Sequence, residues 1–146
     1  MIIKQVSVFV ENKPGKLAAV MNTLAQNDID VSALSLADTA DFGVLRLILD
    51  QPEKGKQVLQ ESGVACKINH MVAVVMDDTP GGAAGAIQLL ADHNISIEYM
   101  YACIGRVTGK ALMVVRVQDY KLAEQILEEN HAAVMSPDEI YRISKD

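Results

Sequence analysis

Asn12-Lys13-Pro14-Gly15-Lys16-Leu17 and Asp78-Thr79-Pro80-Gly81-Gly82-Ala83 are one motif used twice. Each copy follows a run of β-forming residues, Val6 to Val10 and then Val72 to Met76, and each opens a stretch of helical periodicity. Pro-Gly at such a joint predicts a turn that passes straight into the first turn of a helix. The first backbone N–H groups of a helix have no partner inside it and carry the positive end of its dipole. The joint is therefore suited to receive a small anion such as a carboxylate.

Outward from the motif, the self-similarity extends through the chain. Gly81 lies 66 residues after Gly15, and the same offset pairs Leu24 with Leu90, Ala25 with Ala91, Ile29 with Ile95 and Gly43 with Gly109. Farther on, Gln57-Val58-Leu59 and Gln125-Ile126-Leu127 match at an offset of 68, so two residues are inserted near the second helix of the second copy.

The first copy reads as a half-buried strand over 2–10 and a helix whose stripe is Leu17, Val20, Met21 and Leu24, ending near Asn27-Asp28. A strand over 29–37, a hairpin turn over 38–41 and a strand over 43–50 follow. A helix from Pro52 stops at Gly63, and a strand covers 64–69. The second copy predicts strand 71–76, helix 81–92 (stripe Ala83, Ala86, Ile87 and Leu90), strand 95–103, strand 110–117, helix 119–130 and a strand near 132–135. Alternation along 95–103 puts Ile97, Tyr99, Tyr101 and Cys103 on one face, and the tail adds a further strand before Ile143. The order β-α-β-β-α-β, twice, defines an α+β fold: two ferredoxin-like repeats, each an antiparallel sheet with both helices on one face. The repeats are expected at 1–69 and 70–146, with their sheets packed or paired together. Ser7, Phe9, Ala73 and Val75 on the remaining sheet faces are too apolar to meet bulk water, and 64–72 contains no Gly or Pro spacer.

Composition narrows the function. The 146 residues are 50% hydrophobic, only 4% aromatic, and carry a formal net charge of -6 with no cluster of Lys or Arg. Nucleic-acid binding wants a basic face, and single-strand binding exposed aromatics as well. No apolar run approaches the roughly 20 residues of a membrane span. The start lacks the pattern of a signal peptide, and Cys66 and Cys103 read as reduced thiols. A cytoplasmic protein that binds neither nucleic acid nor membrane is expected.

The doubled motif, with Asn27-Asp28-Ile29-Asp30-Val31 and His93-Asn94-Ile95-Ser96-Ile97 behind each helix, resembles the ACT domain. That family of ferredoxin-like modules binds amino acids and regulates metabolic enzymes. The resemblance covers almost the whole chain, implying a stand-alone tandem protein with no attached catalytic domain. It places the ligand at Asn12, Lys13, Pro14, Gly15 and Lys16, and at Asp78, Thr79, Pro80, Gly81 and Gly82. It adds a neighbouring module's second strand, around Ala33 to Ser35 in one copy and Tyr99 to Tyr101 in the other. Gly15 and Gly81 have no Cβ, so a ligand can reach the backbone amides; Asn12 or Asp78 can accept from an α-ammonium. Thr79 is expected to cap its helix with Pro80 at the first helical position, whereas Lys13 offers no cap.

Plainer readings stand beside these. Pro-Gly makes tight turns without any ligand, Asp77-Asp78 are ordinary solvated or capping acids, and His70, His93 and His131 share no metal-ligand spacing. No nucleophile with a base, P-loop or Cys-x-x-Cys is present. The reading is a non-catalytic sensor without cofactor or metal that binds a small amino acid as a homodimer and modulates a partner enzyme. The alternative is a structural interaction module with no ligand. Lys16 favours the first joint for an anion.

Overall fold

The computed structural model describes residues 2–38, 42–103, 109–130 and 132. Its elements run β1 (Ile2–Glu11), α1 (Lys16–Gln26), β2 (Val31–Asp38), β3 (Phe42–Leu49), α2 (Pro52–Glu61), β4 (Cys66–Asp77), α3 (Gly82–Asp92), β5 (Ile97–Ala102), β6 (Lys110–Val117) and α4 (Tyr120–Glu129). Contacts divide the chain into two compact units, residues 4–69 and residues 70–146 with 1–3. The fold is α+β: a ferredoxin-like β-α-β-β-α-β frame whose order recurs in the second copy as far as α4 among the described residues. The expected turn at 39–41, the strand over 133–135 and the tail strand lie outside the described residues.

In the first unit β3 lies between β1 and β2, antiparallel to both, with Val8 opposite Leu45 and Leu36 opposite Leu45 on the other side. Val6, Val8 and Val10 of β1 and Leu45, Leu47 and Leu49 of β3 meet Val20 and Leu24 of α1 and Leu59 of α2 in one core. The helical stripe thus splits: Val20 and Leu24 are buried, while Leu17 at its head is exposed. On the sheet's other face Gln5 and Ser7 are buried in a short polar relay. Gln5 Nε2 donates to Ser7 Oγ at 2.9 Å, and Ser7 Oγ donates to Asn69 Oδ1 at 2.6 Å.

The second unit repeats the plan. β6 lies between β4 and β5, and Val72, Val74, Val115 and Val117 pack with Leu90 of α3 and with Ala123 and Leu127 of α4. Its helix ends as in the first copy, on a left-handed residue at the same offset, Asp28 (φ 56) and Asn94 (φ 58).

One expectation fails by register. β5 carries a bulge between Ile97 and Tyr99, which inserts a residue and reverses the alternation. Ile97 and Met100 pair with Val117 and Val115 and pack into the core, while Tyr99 and Tyr101 turn to the opposite face. β2 has its bulge at the equivalent place, between Val31 and Ala33, so the repeat extends to the irregularity.

Candidate functional site

Each joint is a β-turn closed by a backbone bond. Lys16 N–H donates to Lys13 O at 3.2 Å, and Gly82 N–H donates to Thr79 O at 3.0 Å. Pro at the second position and a left-handed Gly at the third (Gly15 φ 85, ψ -14; Gly81 φ 88, ψ -6) define a type II turn. Gly15 O and Gly81 O then accept the first helical bonds, from Ala19 N–H and Gly85 N–H. The glycines themselves are the N-caps, so Thr79 does not cap α3 and Pro80 lies before the helix rather than in its first turn. No side chain caps either helix, and the amides of Leu17 and Ala18, like those of Ala83 and Ala84, find no partner among the described residues. A Cβ at Gly15 or Gly81 would meet nothing within 4 Å, so both turns face open space.

Two hollows flank the first joint. A small one of about 130 Å³ is bordered by Asn12, Lys13, Leu17, Leu36 and Gly43. A larger one of about 420 Å³ lies between α1 and the segment after α2, walled by Phe9, Lys16, Ala19, Thr23, Phe42 and residues 62–65. Its two ends are the positive pole of α1, at Lys16, and the negative pole of α2, at Ser62-Gly63. The second unit holds the equivalent hollow, about 380 Å³. Eight of its nine lining residues match those of the first at the repeat offsets, among them Asp77 for Glu11, Gly82 for Lys16 and Asn130 for Ser62. The hollow is therefore a product of the fold, and only its lining distinguishes the copies.

The linings differ in charge. Residues 11–16 carry one carboxylate and two ammoniums; residues 77–82 carry two carboxylates and no ammonium. Glu11 is paired with Lys13 at 3.1 Å, and its carboxyl is held below the usual range by the hydrogen bond and charge of Lys13 and then by the charge of Lys16. Among the described residues the Lys16 ammonium makes no ion pair or hydrogen bond, and only its longer-range charge acts on Glu11. In the second unit Asp77 is neutralised by Lys110. A Cβ at Gly82 would lie 1.8 Å from the Asp77 carbonyl oxygen, so α3 starts tight against the end of its strand.

The remaining candidates fall as follows. Pro14, Gly15, Asp78, Thr79, Pro80 and Gly81 are exposed in the two turns, and Asp78 N–H donates to Gly109 O at 2.9 Å. Ser35 pairs with Arg46 on the sheet face away from the helices, while Leu36 borders the small hollow. Within one unit Ser35 does not join the joint. Phe9, Thr23, Phe42 and Ser62 carry no motif, and only the folded arrangement brings them to Lys16. Among the described residues no group of three or more His, Cys, Asp and Glu is placed to hold a metal, and no helix is long and apolar enough to cross a membrane. Burial pushes the Cys103 thiol up to about 11.

Two ferredoxin-like units with an open glycine turn at each strand–helix joint define a tandem of small α+β modules. The chain matches the ACT domain pair family over residues 1–143 and belongs to it. Protein BT0572 from Bacteroides thetaiotaomicron is 33% identical, with 97% of this chain and 96% of that one covered and a TM-score of 0.91. The ligand-free regulatory subunit of aspartate kinase from Thermus thermophilus shares the fold at 16% identity, 86% and 91% coverage and a TM-score of 0.62. The corresponding subunit from Thermus flavus does so at 15% identity, 88% and 94% coverage and 0.57. No curated protein matches the chain.

Proposed function

We propose that this ACT domain pair is a non-catalytic cytoplasmic sensor that binds a small amino acid at its first joint and passes the binding event to a partner enzyme or regulator. The observation that carries the reading is the contrast in charge at two otherwise identical turns. At the first, the Leu17 and Ala18 amides, without partners among the described residues, and the Lys16 ammonium, which makes no ion pair among them, meet open space. At the second, Gly82 stands in place of Lys16 and Asp78 in place of Asn12, beside the Asp77–Lys110 ion pair. An α-carboxylate is stabilised by the former and repelled by the latter. The fold shared with regulatory subunits of aspartate kinase supports a regulatory role.

A second copy completes the site in this reading. β2 is the edge of its sheet, and Leu34 and Leu36 on it, with Leu17 beside them, are 43%, 49% and 37% exposed. Pairing at that edge in a homodimer covers these leucines and brings the neighbour's Ser35 strand to the small hollow. The same exposed edge favours the second reading, an interaction module with no ligand. A thermal-shift screen over the common amino acids separates them: at about 100 times Kd a ligand adds about 2.7 kcal/mol, and Gly15→Val, not Gly81→Val, abolishes the shift. No shift with any amino acid leaves the interaction module.

A further inference from the structure

The first joint's larger hollow bears on which amino acids it takes. We infer that this hollow receives the ligand's side chain and selects large uncharged apolar amino acids over small or charged ones; the inference rests on the carboxylate reading above. Size is the first argument. Ligand pockets run from about 300 Å³ upward, so the small hollow of about 130 Å³ holds little beyond the α-carbon groups, whereas about 420 Å³ accommodates a side chain.

Chemistry is the second. Phe9 and Val64 supply apolar wall, the Glu11 carboxylate in that wall is already paired with Lys13, and the two neutral polar side chains have already spent their protons. Thr23 Oγ1 donates to Ala19 O at 2.9 Å, and Ser62 Oγ donates to Val58 O at 2.7 Å. A carboxylate or carbonyl on the ligand's side chain finds no side-chain donor there except Lys16, which the α-carboxylate occupies. Desolvating such a group without a partner is unfavourable, while burying methylenes is favourable.

The experiment is calorimetric titration of the full chain with leucine, phenylalanine, glycine, aspartate and lysine, repeated on Ala19→Leu and Phe9→Ala. Ala19 is exposed on α1, and leucine suits a helix there while filling the hollow. Expected is binding of leucine and phenylalanine at least about tenfold tighter than of the other three, lost in Ala19→Leu and weakened in Phe9→Ala, whose exposed parent side chain is dispensable for folding. Glycine, aspartate or lysine binding as tightly, or indifference to both substitutions, overturns the inference and leaves the joint reading intact. Loss in Ala19→Leu with binding kept in Gly15→Val upholds the hollow and overturns the joint. No binding by any of the five overturns both.

Discussion

The two strand–helix joints share turn type, glycine conformation, helix register and an adjoining hollow, yet they differ in what surrounds those features. In the first, position 16 is an exposed lysine and the turn stands clear of the strand. In the second the equivalent position is Gly82, where a Cβ would collide with the Asp77 carbonyl, and the flanking charge is reversed. A repeated backbone thus supplies the same unpaired amides twice, and side chains decide whether an anion is welcome. The frame belongs to the fold; the function belongs to the residues that differ.

The sharpest way to break this comparison is to interchange the residues. Gly82→Ala should lower unfolding free energy by about 3 kcal/mol, because a backbone carbonyl cannot move aside as a side chain can. Lys16→Ala at the matching position should stay within about 0.5 kcal/mol, and chemical denaturation reads both. Gly15→Ala and Gly81→Ala each force a left-handed alanine, costing about 1–2 kcal/mol; because both turns face open space, the two losses should agree. The second helices offer a finer contrast. Asp119 Oδ1 accepts from Leu122 N–H at 3.1 Å and caps α4, whereas its counterpart Gln51 makes no cap. Asp119→Ala should lose about 1 kcal/mol, Gln51→Ala almost nothing, and Gln51→Asp should regain part of that amount.

The smallest expected effect is electrostatic. The Glu11 carboxyl is lowered in the folded chain, so its contribution is fully present above the ordinary carboxylate range and is lost as pH falls through the lower folded value. Glu53, lowered by its hydrogen bond to Lys4, behaves alike. Stability of Glu11→Gln and wild type, followed by thermal unfolding from neutral to acid pH, should converge on acidification.

Much of this was legible in the chain. Pro14-Gly15 and Pro80-Gly81 announced the joints, and the 66-residue offset announced the doubled frame, because turn chemistry and apolar period are local properties. The bulge at Ile97/Tyr99 was not legible, since an extra residue in a strand leaves no compositional mark, and it reversed the faces of Tyr99 and Tyr101. Thr79 looked like a cap because caps are recognised by residue type, yet the φ of Gly81 moved the cap two positions on. Phe9, Thr23 and Ser62 meet Lys16 only when α1 crosses beside the end of α2, a tertiary fact with no signature in any one segment.

The central claim concerns where a metabolite's acid group lands. Backbone amide NMR during titration with leucine reads it directly: the account predicts saturable shifts at Lys16, Leu17 and Ala18, with Gly82, Ala83 and Ala84 unmoved. Shifts centred on the second turn, or saturable binding that leaves both turns unmoved, would contradict it.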